Sequence, residues 1–125
     1  MLFRSLHVGA LVDGMDFVMS SGHFLPYACI NTDFAHAGQD ILAMEDIAEI
    51  YDATALAAPE AKVDLFFGEQ DSLFTSASVE SFERLEVIYD KLGVPGEANI
   101  HVNPSIGHEV DPDAVIAALP IIPKG

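Results

Sequence analysis

The run Val63-Asp64-Leu65-Phe66-Phe67-Gly68 restricts the possible folds of this chain more than any other segment. It is β-branched and aromatic, apolar apart from Asp64, and bounded by Pro59 upstream and Gly68 downstream. A strand with one wet face alternates polar and apolar residues, so an almost unbroken apolar run is the pattern of a strand covered on both faces. Such strands belong to parallel sheets. Parallel neighbours need long crossovers, so helices are expected on either side of this run.

The flanking sequence supplies them. Val79, Phe82, Leu85, Ile88, Tyr89 and Leu92 recur at helical spacing, with Glu80, Glu83, Arg84, Glu86, Asp90 and Lys91 mostly on the other face. Gly93 reads as the C-cap, and Pro95 prevents continuation. Asn99 to Asn103 reads as a second strand, after which Pro104 and Gly107 shape a turn. Asp111 and Pro112 form an N-cap and first-turn pair, with Val115, Ile116 and Leu119 expected on the inner face of a terminal helix. Upstream, Phe17 to Ser20 is a short apolar strand opening at Ser21-Gly22, and Val8 to Val12 fits either a strand or a helix end. His23 to Asp40 has no period and reads as a long surface loop. Met44, Ile47, Ala48, Ile50 and Tyr51 mark a helix behind Glu45 and Asp46, ending by Pro59. The expected order is strand, loop, helix, strand, helix, strand, helix. This is an α/β domain over residues 1–125, with a parallel sheet and flanking helices in three layers. A sheet of three strands leaves edges open to pairing.

Charge narrows the partners. Twenty Asp and Glu stand against five Lys and Arg, a formal net charge of −15, so nucleic acid and anionic membrane surfaces lack the basic footprint they need. The acidic residues are spread along the chain, which fits solubility, a high-salt habitat or attraction of a cationic ligand. Cys29 is the only cysteine and forms no internal disulfide. No run approaches the roughly 20 apolar residues of a membrane span, and the N-terminus lacks a clear signal-peptide cleavage site.

Two residues carry the chemistry. Asp71 follows the first strand and His108 follows the second, with one helix between, and open parallel sheets place reactive groups where strands give out into loops. A carboxylate that orients an imidazole, and an imidazole that removes a proton, are the acid and base of a hydrolytic triad. The plainer reading has Asp71 capping its own turn and His108 as an ordinary loop histidine. No Gly-x-Ser-x-Gly elbow occurs in the 125 residues. Ser21 is preceded two positions earlier by Met19 where an elbow has glycine, Ser105 has no strand-to-helix turn, and Cys29 is a lone cysteine in a loop, a setting in which cysteines are more often buried or inert than nucleophilic. No nucleophile is assigned. His23, His36 and Asp40, with His101 and His108, form no dense ligand pattern, and neither a Walker loop nor Gly-x-Gly-x-x-Gly is present. No cofactor or metal is expected.

Several motifs in residues 17–110 resemble the C-terminal portion of an α/β-hydrolase, in the branch of acetyl xylan esterases and dienelactone hydrolases. They are Val18-Met19-Ser20-Ser21-Gly22-His23, Met44-Glu45-Asp46-Ile47-Ala48-Glu49-Ile50, Ala57-Ala58-Pro59, Leu65-Phe66-Phe67-Gly68-Glu69-Gln70-Asp71-Ser72-Leu73-Phe74, Phe82-Glu83-Arg84-Leu85-Glu86-Val87-Ile88-Tyr89 and Gly107-His108-Glu109. Glu60-Ala61-Lys62 replaces the family's Arg-Pro, and Ile106-Gly107 its glycine pair. The resemblance implies a partial α/β-hydrolase fold without the N-terminal strands and nucleophile elbow, with Asp71 as triad acid and His108 as general base. It implies a serine esterase for carboxylic or acetyl esters, inactive alone and acting on a small ester only when completed by the half that bears the serine. The rival expectation is a small non-catalytic α/β module that binds a protein partner through its sheet edge, whereas a fragment with an unsatisfied edge is expected to self-associate there.

Overall fold

The computed structural model describes residues 3–22, 24, 61–94 and 97–120. Three strands, β1 (Phe17–Ser21), β2 (Lys62–Gly68) and β3 (Ala98–Asn103), form a parallel sheet in the order β1-β2-β3. Among the described residues three helices accompany them: α1 (Phe3–Leu11), α2 (Ser76–Leu92) and α3 (Pro112–Ala118). The coarse α/β expectation is therefore met. The ambiguous segment Val8 to Val12 is helical through Leu11. The expected loop at residues 23–40, apart from Phe24, and the expected helix behind Glu45 lie outside the described residues.

Strand β2 is central, and its apolar run is explained by burial from both sides. Successive side chains of a strand point to opposite faces. On one face Val63, Leu65 and Phe67 join Val18 of β1, Leu6 of α1, and Phe82, Leu85 and Tyr89 of α2 in the hydrophobic core. Each such buried side chain contributes about 1.5–3 kcal/mol relative to exposure. On the other face Asp64 and Phe66 are equally buried, and Phe66 shares a cleft wall with Ala114 of α3.

Local chemistry fixes the ends of α2. Ser78 Oγ accepts from the Thr75 N–H and donates to the Leu73 carbonyl, both at 3.3 Å, which ties the first turn to the preceding loop. Gly93 ends the helix at φ 79°, in the left-handed region open to glycine, and its N–H donates to the Asp90 and Tyr89 carbonyls. Tyr89 Oη donates to the Ala61 carbonyl at 3.0 Å and pins the helix to the start of β2.

Two inner faces are narrower than expected. Phe82, Leu85 and Tyr89 are buried, whereas Val79 is 41 % and Leu92 50 % exposed. Val79 lies roughly a quarter turn from the centre of the buried face, and Leu92 belongs to the last turn. In α3 no residue is buried, and Ile116 and Leu119 face solvent, because this short helix covers only the end of the sheet.

Candidate active site

Asp71 reaches its place through two tight turns. Its N–H donates to the Gly68 carbonyl at 3.1 Å, and its own carbonyl accepts from Phe74 N–H at 3.0 Å. Phe74 packs against Phe67 with ring centroids 4.9 Å apart, which holds the loop onto the end of β2. The Asp71 side chain is only 1 % exposed. Oδ1 accepts from Leu73 N–H at 2.8 Å, and Oδ2 lies 2.7 Å from Nδ1 of His108. The two sequence readings of Asp71 thus coexist: one oxygen caps the turn and the other holds the histidine.

His108 stands at the apex of a three-residue turn, with Glu109 N–H donating to the Gly107 carbonyl at 2.9 Å. The turn is fastened to the end of β2: Glu69 N–H donates to Asn103 O at 2.9 Å and Gln70 N–H to Ile106 O at 3.1 Å. Gln70 Nε2 adds a bond to Pro104 O at 3.1 Å. A carboxylate only accepts, so the 2.7 Å contact places the proton of neutral His108 on Nδ1 and leaves the Nε2 lone pair free. With 59 % of its side chain exposed, His108 offers that nitrogen to a reacting partner. The arrangement is a buried acceptor that orients an accessible proton acceptor.

Asp111 supports the turn from its far side. Its Oδ1 accepts from Asp113 and Ala114 N–H groups at the start of α3, and its Oδ2 accepts from Asn103 Nδ2. The Ala114 N–H, then the Asn103 amide, hold its carboxyl below the usual carboxylate range, with a smaller contribution from Asp113 N–H against desolvation.

A second histidine–aspartate pair went unread in the sequence. His101 Nε2 lies 2.8 Å from Oδ1 of Asp64, and Lys62 Nζ lies 3.0 Å from Oδ2, at ion-pair distance but outside hydrogen-bond geometry. The His101 ring stacks on Phe66 with centroids 4.7 Å apart. The signal was Asp64 itself, since a carboxylate inside a strand covered on both faces must find a partner. His101 lies on the adjacent strand, where Phe66 is its register partner and Asp64 is diagonal to it.

Of the side chains weighed as nucleophiles, Cys29 lies outside the described residues. Ser105 is in a turn whose N–H donates to Asn103 Oδ1 at 2.9 Å, and Ser21 ends β1. Among the described residues, no serine is hydrogen-bonded to His108. Of the set weighed for a metal, His23, His36 and Asp40 are also outside the described residues, and His101 and His108 are each committed to a separate carboxylate. Among the described residues no three ligand-type side chains converge, and no helix is long and apolar enough to cross a membrane. No family model, curated protein or solved structure matches the chain.

Proposed function

We propose that Asp71 and His108 are the acid and base of a hydrolytic triad of the α/β-hydrolase esterase kind, acting on carboxylic or acetyl esters together with a serine from an elbow segment. One observation carries the reading: a 1 %-exposed carboxylate holds Nδ1 of a histidine whose side chain is 59 % exposed, at 2.7 Å. In such a triad the free Nε2 removes the serine proton, the alkoxide adds to the ester carbonyl, and the imidazolium returns the proton to the leaving alcohol. Asp71 stabilises the imidazolium throughout. Water then repeats the sequence on the acyl-enzyme, and ester and water become acid and alcohol. The family assignment rests on the sequence resemblance, and the parallel order β1-β2-β3 with both residues beyond strand C-termini is consistent with it.

Without an elbow the chain alone is expected to show no saturable hydrolysis of p-nitrophenyl acetate. Saturable turnover abolished by His108→Ala would place a nucleophile within these 125 residues and refute that part of the proposal. The rival reading, a binding module, draws support from β1 and β3, each paired on one side only among the described residues. Size-exclusion chromatography with equilibrium unfolding separates the two: a monomer that unfolds cooperatively favours the self-contained module, and aggregation or an obligate dimer favours a fragment with an unsatisfied edge.

A further inference from the structure

The turn that carries His108 lies on Gly68 with no room for a side chain. A Cβ built on Gly68 would overlap the carbonyl oxygens of both Ile106 and Gly107. These oxygens are fixed in place by hydrogen bonds: Ile106 O receives Gln70 N–H, and Gly107 O receives Glu109 N–H across the turn apex. Retreat of Ile106 O breaks its bond from Gln70 N–H, whereas the Glu109-to-Gly107 bond lies within the turn and moves with it. Gly68 lies in β2 and has an ordinary extended backbone, so its requirement for glycine is steric and not conformational. Gly107 is the opposite case, since a Cβ there would come no closer than 3.9 Å to Gln70 O. The glycine that matters is three residues from the acid, on the strand, not the one beside the histidine.

We infer that Gly68 and Gln70 are positioning residues for His108: Gly68 by leaving the space in which the turn's carbonyls lie, Gln70 by clamping the turn through Ile106 O and Pro104 O. Neither is hydrogen-bonded to the imidazole. Together they set whether Nδ1 meets Asp71, because the strand end that carries Gly68 and Gln70 leads directly into Asp71. A methyl at position 68 lifts the turn, and a lifted turn separates the 2.7 Å pair. The functional meaning rests on the proposed acid–base role of that pair; the geometry does not.

Long-range ¹H–¹⁵N spectra of the full ¹⁵N-labelled chain read the pair without any turnover, so a failure here is distinct from failure of the esterase reading. His108→Gln assigns the signal. In the unsubstituted chain His108 is expected as the Nδ1–H tautomer, and His101, held through Nε2 by Asp64, serves as an internal reporter of the intact sheet. Gly68→Ala is expected to abolish the Nδ1–H signal of His108 while the Nε2–H signal of His101 persists, and Gly107→Ala is expected to retain both. Retention of the His108 signal in a Gly68→Ala protein with its His101 signal intact overturns the inference. If Gly68→Ala loses both signals, Gln70→Ala decides. Removing its bond to Pro104 O is expected to speed solvent exchange of the His108 Nδ1 proton several-fold, and an unchanged rate overturns the inference.

Discussion

Asp71 and His108 are 37 positions apart in the chain and 2.7 Å apart in the fold, the carboxylate buried and the imidazole open to solvent. Asp64 and His101 are also 37 positions apart and make the same kind of contact at 2.8 Å, but through Nε2 and against a stacked Phe66. Both pairs bridge the β2 and β3 segments. They differ in which nitrogen is free and in what surrounds it, and only His108 combines a free Nε2 with an accessible ring. One pair suits chemistry and the other suits holding two strands in register.

Substitutions of Asp71 separate its two duties. Asp71→Ala removes the acceptor for Leu73 N–H and the partner of His108 together and is expected to destabilise by about 1–3 kcal/mol in urea unfolding. Asp71→Asn keeps an oxygen for Leu73 N–H and places an amide beside Nδ1. It is expected to cost less than Asp71→Ala and to move the His108 proton to Nε2, as tautomer-sensitive NMR checks.

The two histidines are expected to respond differently to removal. His101→Ala leaves the buried Asp64 carboxylate with Lys62 as its only described partner, at an expected cost of about 1–3 kcal/mol. His108→Ala leaves an opening that water fills, at an expected cost below about 1 kcal/mol. Removing Asp64 and His101 together is expected to cost less than the two single losses summed, because the second removal relieves the unpaired charge.

Much of this fold was legible because strong local signals agreed. β2 declared itself by its apolar run, β3 by its position before Pro104, and α2 by Phe82, Leu85, Tyr89 and the Gly93 cap. Asp71 and His108 were legible as a pair because each follows a parallel strand, which brings both to one edge of the sheet. What failed was the limit of each face. Val79 and Ile116 are apolar and correctly spaced yet exposed, since periodicity says which side of a helix turns inward but not how far the neighbouring layer extends. Asp64 read as an interruption because its partner is on another strand, and Gly68 read as punctuation because the carbonyls above it come from a distant turn.

Two glycines test different physics. Gly93 has φ 79° and empty space around it, so Gly93→Ala is expected to cost about 1–2 kcal/mol from backbone strain alone. The His108 tautomer should be unaffected. Gly68→Ala meets carbonyl oxygens instead and is expected to disturb the His108 turn, so the two variants separate a cap effect from a positioning effect.

Asp111 gives a pH dependence of known sign. Its carboxyl is held low in the folded chain, so it contributes stability above its unfolded value, and this is lost as pH falls through the lowered folded value. The stability difference between the unsubstituted chain and Asp111→Ala, measured by urea unfolding, is expected to be largest at neutral pH and to shrink in strong acid. A difference that grows on acidification would reverse the assignment.

The central claim is that Asp71 and His108 await a serine, and the most direct measurement is p-nitrophenyl acetate turnover after mixing this chain with a hydrolase segment that carries a Gly-x-Ser-x-Gly elbow. Turnover is expected to appear on mixing. His108→Ala and Asp71→Asn are each expected to reduce it by about 10³- to 10⁴-fold, the order seen when a triad member is removed. Turnover that appears on mixing and survives both substitutions would contradict the account.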